Sequence, residues 1–122
     1  MYRKEDYIAV FDSGVGGISV LRQLRKLMPD EKYIYYGDSA NAPYGSRATE
    51  EVRALTLAAA EKLIKEYPVK ALVIACNTAT AAAIENLRAT YRDLIVIAEF
   101  LFQWSQDKAA LANPTASNTR KL

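Results

Sequence analysis

Apolar and polar positions alternate along this chain in blocks that change period. Tyr7-Ile8-Ala9-Val10-Phe11 is a short apolar run rich in β-formers, and it enters the turn cluster Asp12-Ser13-Gly14. That pattern predicts a buried strand ending in a loop. After Gly16-Gly17 the apolar residues Ile18, Val20, Leu21, Leu24 and Leu27 recur at helical spacing, with Arg22, Gln23, Arg25 and Lys26 on the other face and Pro29 as a stop. Tyr33-Ile34-Tyr35-Tyr36 predicts a second strand, closed by Gly37-Asp38. The stretch from Asp38 to Arg47 is rich in Ser, Asn, Pro and Gly and predicts a long loop.

Thr49-Glu50-Glu51 opens a second helix with acidic residues in its first turn, where the helix dipole favours them. That helix is expected to run to about Tyr67, with Val52, Leu55, Ala59, Leu63 and Ile64 inward and Pro68 as its break. Ala71-Leu72-Val73-Ile74-Ala75 is continuously apolar, the pattern of a strand buried on both faces. Cys76-Asn77-Thr78 follows it, then an Ala-rich helix from Ala79 to about Thr90, then a fourth strand at Leu94-Ile95-Val96-Ile97. The order β-α-β-α-β-α-β predicts an α/β fold: an open, mainly parallel four-stranded sheet flanked by helices, with right-handed crossovers. From Glu99 the character changes, with no Gly, Val or Ile to the last residue and an aromatic cluster at Phe100, Phe102 and Trp104. Residues 1–98 are expected to form the α/β domain and residues 99–122 an irregular or helical C-terminal tail.

Composition then narrows the chemistry. With 122 residues there is room for about one small domain. No apolar stretch reaches the roughly 18 residues that would cross a bilayer, so no membrane association is expected. Met1 to Asp6 leads directly into strand-like sequence, so a secretory signal is not expected either. Sixteen Lys and Arg against fourteen Asp and Glu give a formal charge of +2, scattered rather than striped, which argues against a nucleic-acid partner. One cysteine excludes an internal disulfide and a Cys-only zinc site, and the absence of histidine excludes Ser-His-Asp, Cys-His and His-metal chemistry within these residues. No metal is expected, and a lone thiol suits a reducing, cytoplasmic setting.

In open α/β sheets ligands bind outside the carboxyl ends of the strands. Three loops are expected there. Asp12-Ser13-Gly14-Val15-Gly16-Gly17 lies between a strand and a helix, where glycines admit a close ligand and free N–H groups favour an anion. It matches neither the dinucleotide fingerprint nor a P-loop, and alone it reads equally as a tight capped turn. Gly37 to Gly45 is long enough to be functional, with backbone amides near Pro43, Tyr44 and Gly45 available to a carboxylate, or it is an ordinary surface loop. Cys76 stands where a helix dipole favours a thiolate, with Asn77 and Thr78 as hydrogen-bonding neighbours, or it is a buried structural cysteine. Together the three suggest a carboxylate ligand beside a thiol able to do acid–base or nucleophilic chemistry.

Those same segments, Phe11 to Gly17, Tyr36 to Gly45 and Ala75-Cys76-Asn77-Thr78-Ala79-Thr80, resemble the amino-terminal half of bacterial glutamate racemases over roughly residues 7–97. The resemblance implies a cofactor-independent racemase that supplies D-glutamate for peptidoglycan. Its two α/β domains enclose glutamate, and each contributes one cysteine to opposite faces of the α-carbon. It assigns Cys76 as the catalytic cysteine of this half. It assigns Asp12, Ser13, Pro43, Tyr44, Gly45, Asn77, Thr78 and Thr80 to substrate binding. Related racemases of aspartate or hydantoins fit the Asp-Ser-Gly-Val-Gly-Gly and Asn-Ala-Pro-Tyr-Gly segments less well. The chain departs from the family pattern after its fourth strand, where Ala98 to Trp104 replaces a Gly-Val-Glu/Ile-Pro-like segment. The second domain, its cysteine and the accompanying histidine are not in these residues. The expectation is therefore a truncated racemase-type chain with impaired or no racemisation. A homodimer could bring two copies of Cys76 together. A non-catalytic half-domain that binds an acidic amino acid or a protein partner is the alternative.

Overall fold

The computed structural model describes residues 3–14 and 16–98. The tail expected from residue 99 lies outside the described residues. Four strands and three helices alternate: β1 (Tyr7–Asp12), α1 (Ile18–Leu27), β2 (Lys32–Gly37), α2 (Thr49–Glu66), β3 (Val69–Ile74), α3 (Asn77–Thr90) and β4 (Ile95–Ala98). Two short 3-10 turns, Ser39–Asn41 and Tyr44–Ser46, give shape to the long loop between β2 and α2. The expected open parallel sheet forms, with strand order β2-β1-β3-β4 and every pairing parallel.

The two faces of the sheet hold separate cores, set by the alternation of side chains along each strand. Ile8 and Val10 of β1 and Ala71 and Val73 of β3 turn to one face, where Val20 and Leu24 of α1 cover them. Ala9 and Phe11, with Leu72 and Ile74, turn to the other, where Val52, Ala59 and Leu63 of α2 and Ala79, Ala83 and Leu87 of α3 cover them. β1 and β3 are thus buried on both sides, which is why Ala71 to Ile74 reads as an unbroken apolar run. Of the positions expected inward on α2, Val52, Ala59 and Leu63 are buried, while Leu55 and Ile64 are half-buried at the rim of the core. No helix among the described residues is long and apolar enough to cross a membrane.

One feature of the topology positions the site. The chain leaves β1 through α1 on one face to reach β2, and leaves β3 through α3 on the other face to reach β4. The loops after β1 and β3, adjacent strands, therefore part company in opposite directions. Such a switch point opens a crevice at the carboxyl edge of the sheet.

Candidate active site at the carboxyl edge of the sheet

Asp12 closes β1 and is buried at 6% exposure. Its Oδ2 accepts the backbone N–H groups of Gly14 at 3.1 Å and Gly17 at 3.0 Å. One carboxylate oxygen thereby folds the glycine-rich segment into a tight loop and caps the entry to α1. A Cβ on Gly17 would lie 2.8 Å from the Asp12 Cβ and 3.1 Å from both Ala75 Cβ and Tyr35 Cε1, so only glycine fits where this loop returns to the sheet. The role of Asp12 visible here is to shape the loop that carries Ser13.

Across the crevice, Cys76 follows β3 and is buried at 8% exposure. It is the N-cap of α3, its sulfur accepting the Ala79 N–H at 3.4 Å. The thiol in turn donates to Ser13 Oγ at 3.5 Å, joining residues 63 apart in sequence. α3 begins at Asn77, two residues earlier than the Ala-rich pattern suggests, because sulfur rather than a conventional oxygen cap opens it. Asn77 and Thr78 therefore stand in the first turn of α3 beside the sulfur, Asn77 exposed and Thr78 half-buried. Thr80 is one turn in and buried, and its Oγ1 has no hydrogen-bond partner among the described residues.

The third loop leaves β2 at Asp38, also buried, whose backbone N–H donates to the Asp12 carbonyl at 2.9 Å. The Asp38 carboxylate is a hub: it accepts the Tyr44 hydroxyl at 2.6 Å and the Asn41 side-chain amide at 3.0 Å. Tyr44 is 1% exposed, and its ring packs against Phe11 at 6.1 Å between centroids. Burial, the bond to Asp38 and the charges of Asp38, Cys76 and Tyr36 push the Tyr44 phenol far above its ordinary pKa. The Ala42–Pro43 peptide is cis, and Pro43 and Gly45 are exposed on either side of the buried Tyr44. Arg47 donates through Nε to the Asn41 carbonyl at 2.9 Å and pairs with Glu51, tying the end of the loop to the first turn of α2. A Cβ on Gly45 would sit 3.9 Å from Thr78 Oγ1, so the second and third loops meet at the start of α3.

Asp12, Ser13, Cys76, Asn77 and Thr78 thus converge on one rim, and Pro43, Tyr44 and Gly45 flank it. Tyr44 faces inward, so its side chain serves the loop, with exposed Pro43 and Gly45 on either side of it. Three residues that the sequence does not single out for the site complete the arrangement: Asp38 and Asn41 inside the long loop, and Tyr35, whose hydroxyl donates to the Gly14 carbonyl at 2.8 Å. Asp38 follows Gly37 at the end of a strand, where an Asp ordinarily marks a turn, so its burial has no local signal.

No protein-family model matches the chain. Among curated proteins, a glutamate racemase of Clostridium botulinum is 55% identical over 97 residues, which cover 80% of this chain and 37% of that protein. Among solved structures, glutamate racemase from Thermus thermophilus, in complex with β-chloro-D-alanine, superimposes with a TM-score of 0.74 at 42% identity. That match covers 78% of this chain and 36% of the other. Glutamate racemase from Francisella tularensis, in complex with D-glutamate, gives a TM-score of 0.76 at 34% identity, covering 81% and 37%. The chain spans little more than a third of the length of these relatives. It is similar, in sequence and in fold, to the amino-terminal part of glutamate racemases.

Proposed function

We propose that these residues form the amino-terminal half-site of a glutamate racemase, with Cys76 as the acid–base group for one face of the α-carbon. The observation that carries the reading is the pairing across the switch point: Cys76 sulfur, held by the Ala79 N–H, faces Ser13 Oγ at 3.5 Å. The similarity to racemases supports the same assignment, and the bound D-glutamate of the Francisella tularensis protein makes glutamate the substrate to test.

The α-proton of an amino acid is very weakly acidic. A thiolate removes it only where the developing negative charge is met by fixed donors and water is kept out. In this reading Cys76 thiolate takes the α-proton and becomes the thiol, leaving a carbanion whose charge spreads into the α-carboxylate. Return of a proton from the same thiol restores the original enantiomer. Delivery to the opposite face requires a second acid. These residues contain one cysteine and no histidine, so in this reading a second thiol for that face comes from groups outside them. Ser13, Asn77, Thr78 and Thr80 supply side-chain hydrogen bonds to the amino acid, and the Pro43-Tyr44-Gly45 backbone borders its carboxylate. Asp12 holds the first loop and stands beside the ammonium group. No cofactor takes part, and the product serves cell-wall precursor supply in the cytoplasm.

The test is incubation of the chain with L- and D-glutamate separately in deuterated water, with Cys76→Ala alongside, following α-proton loss and optical rotation. Wash-out of the α-proton from one enantiomer without inversion, abolished by Cys76→Ala, is the expected result. Inversion would mean that a second chain, such as a symmetric partner, supplies the opposite acid. A folded chain that exchanges neither enantiomer overturns the catalytic reading in favour of a binding module.

A further inference from the structure

The loop carrying Ser13 is pinned from two sides. Asp12 holds it from below through two N–H groups. Tyr35 holds it from the side: its hydroxyl donates to the Gly14 carbonyl at 2.8 Å, bridging β2 to a loop 21 residues earlier in the chain. The Tyr35 ring is wedged between two glycines. A Cβ at Gly17 would come within 3.1 Å of its Cε1, and one at Gly37 within 3.2 Å of its Cε2. A Cβ at Gly37 would also fall 2.1 Å from the Gly14 carbonyl oxygen, so that carbonyl lies directly on the end of β2. Gly14 is the residue after Ser13. Its N–H, in the peptide plane that follows Ser13, is held by Asp12 Oδ2 and its carbonyl, in the next plane, by Tyr35, so both sides of Gly14 are fixed and with them the direction in which Ser13 meets the sulfur.

We infer that Tyr35 is a positioning residue for the Cys76 site: by holding the Gly14 carbonyl it keeps Ser13 Oγ against the sulfur. Tyr35 is half-buried and its hydroxyl bonds the Gly14 carbonyl, so it acts through the loop. Burial, together with the nearby Asp12 charge, raises its phenol above the ordinary tyrosine value, so the hydroxyl stays a donor throughout the neutral range. The inference rests on Cys76 being the reacting group, but its test reads the thiol and not racemisation. The glutamate-exchange experiment can therefore fail without deciding this one.

Cys76 is the sole cysteine, so alkylation of the chain by iodoacetamide reports it alone. The rate as a function of pH gives the thiol–thiolate midpoint and the limiting reactivity. Four proteins form the cycle: wild type, Tyr35→Phe, Ser13→Ala and the double variant. Tyr35→Phe keeps the ring that packs on Gly17 and Gly37 and removes only the donor. Tyr35→Phe is expected to displace the profile in the same direction as Ser13→Ala, by at least about twofold in rate at a fixed pH. In the Ser13→Ala background the same substitution is expected to change nothing further, because residues that act through one another are not additive. A wild-type profile for Tyr35→Phe, a wild-type profile for Ser13→Ala, or an equal displacement by Tyr35→Phe in both backgrounds overturns the inference. A measurement on the wild type needs no variant to fold. The backbone amides of Gly14, Gly16 and Gly17 are expected to be as rigid as those of β1, with order parameters near roughly 0.85. Values below about 0.6 would mean that nothing pins the loop and would equally overturn the inference.

Discussion

Gly37→Ala isolates one close approach on which the site depends. No glycine among the described residues has a positive φ, so backbone conformation does not demand glycine at this position; space does. An added Cβ would lie 2.1 Å from the Gly14 oxygen and 3.3 Å from its carbonyl carbon. Ordinary carbon–oxygen contact is about 3.3 Å or more, so the carbonyl must retreat by roughly 1 Å. A retreat of that size breaks its 2.8 Å bond from Tyr35. Overpacking of this kind costs about 1–3 kcal/mol, and the lost hydrogen bond about 0.5–1.5 kcal/mol. Alanine also restricts the unfolded chain, which offsets about 0.4–1 kcal/mol of that. The expected net loss is about 2 kcal/mol. For a domain of this size, with a urea slope of about 1–3 kcal/mol/M, the unfolding midpoint drops by roughly 1 M. Two other glycines provide the comparison. A Cβ at Gly14 meets only Ala42 Cβ at 4.0 Å, and one at Gly45 only Thr78 Oγ1 at 3.9 Å, both ordinary contacts. Gly14→Ala and Gly45→Ala are expected to stay within about 0.5 kcal/mol of wild type or to gain up to about 1 kcal/mol. Urea unfolding followed by circular dichroism measures all three. A Gly37→Ala protein as stable as Gly45→Ala would refute the reasoning, because the loop would then be free to move off the end of β2.

Two further substitutions probe the polar frame of the site. Tyr44→Phe leaves the buried Asp38 carboxylate without its 2.6 Å hydroxyl donor and is expected to cost about 1.5–3 kcal/mol at neutral pH, read by urea unfolding. The raised Tyr44 phenol gives a pH dependence as well. Above about pH 10 the unfolded chain loses this proton before the folded one does, so stability is full below that pH and falls as pH rises; Tyr44→Phe should remove its share of that fall. Asp12→Ala strands the N–H groups of Gly14 and Gly17 and is expected to cost about 3 kcal/mol, with faster amide exchange confined to residues 13–17. Uniform loosening of the whole sheet in that variant would contradict a local role for the carboxylate.

Much of this architecture is written locally. The alternation of runs such as Ala71 to Ala75 with helical spacing such as Val20, Leu21 and Leu24 determines strand and helix, because burial on two faces or on one stripe imposes its own period. Turn residues after each strand, Asp12-Ser13-Gly14, Gly37-Asp38 and Cys76-Asn77, mark where the loops lie, and parallel topology sends all of them to one edge. The residue pattern alone therefore dictates the element order, the parallel sheet and the set of candidate loops. Which loops touch was decided only by tertiary structure. The order β2-β1-β3-β4 makes β1 and β3 neighbours and sets Ser13 against Cys76 across 63 residues. Tyr44 reads as a loop tyrosine but is drawn inward by Phe11 and Asp38, and Asp38 reads as a turn residue but becomes a buried acceptor. Tyr35 reads as an ordinary strand residue and Gly37 as the turn that closes the strand, until the first loop folds back over them. Local periodicity records which face a side chain takes; it carries no information about which distant segment arrives to complete its hydrogen bonds, because that depends on strand order and on the close packing of the whole sheet.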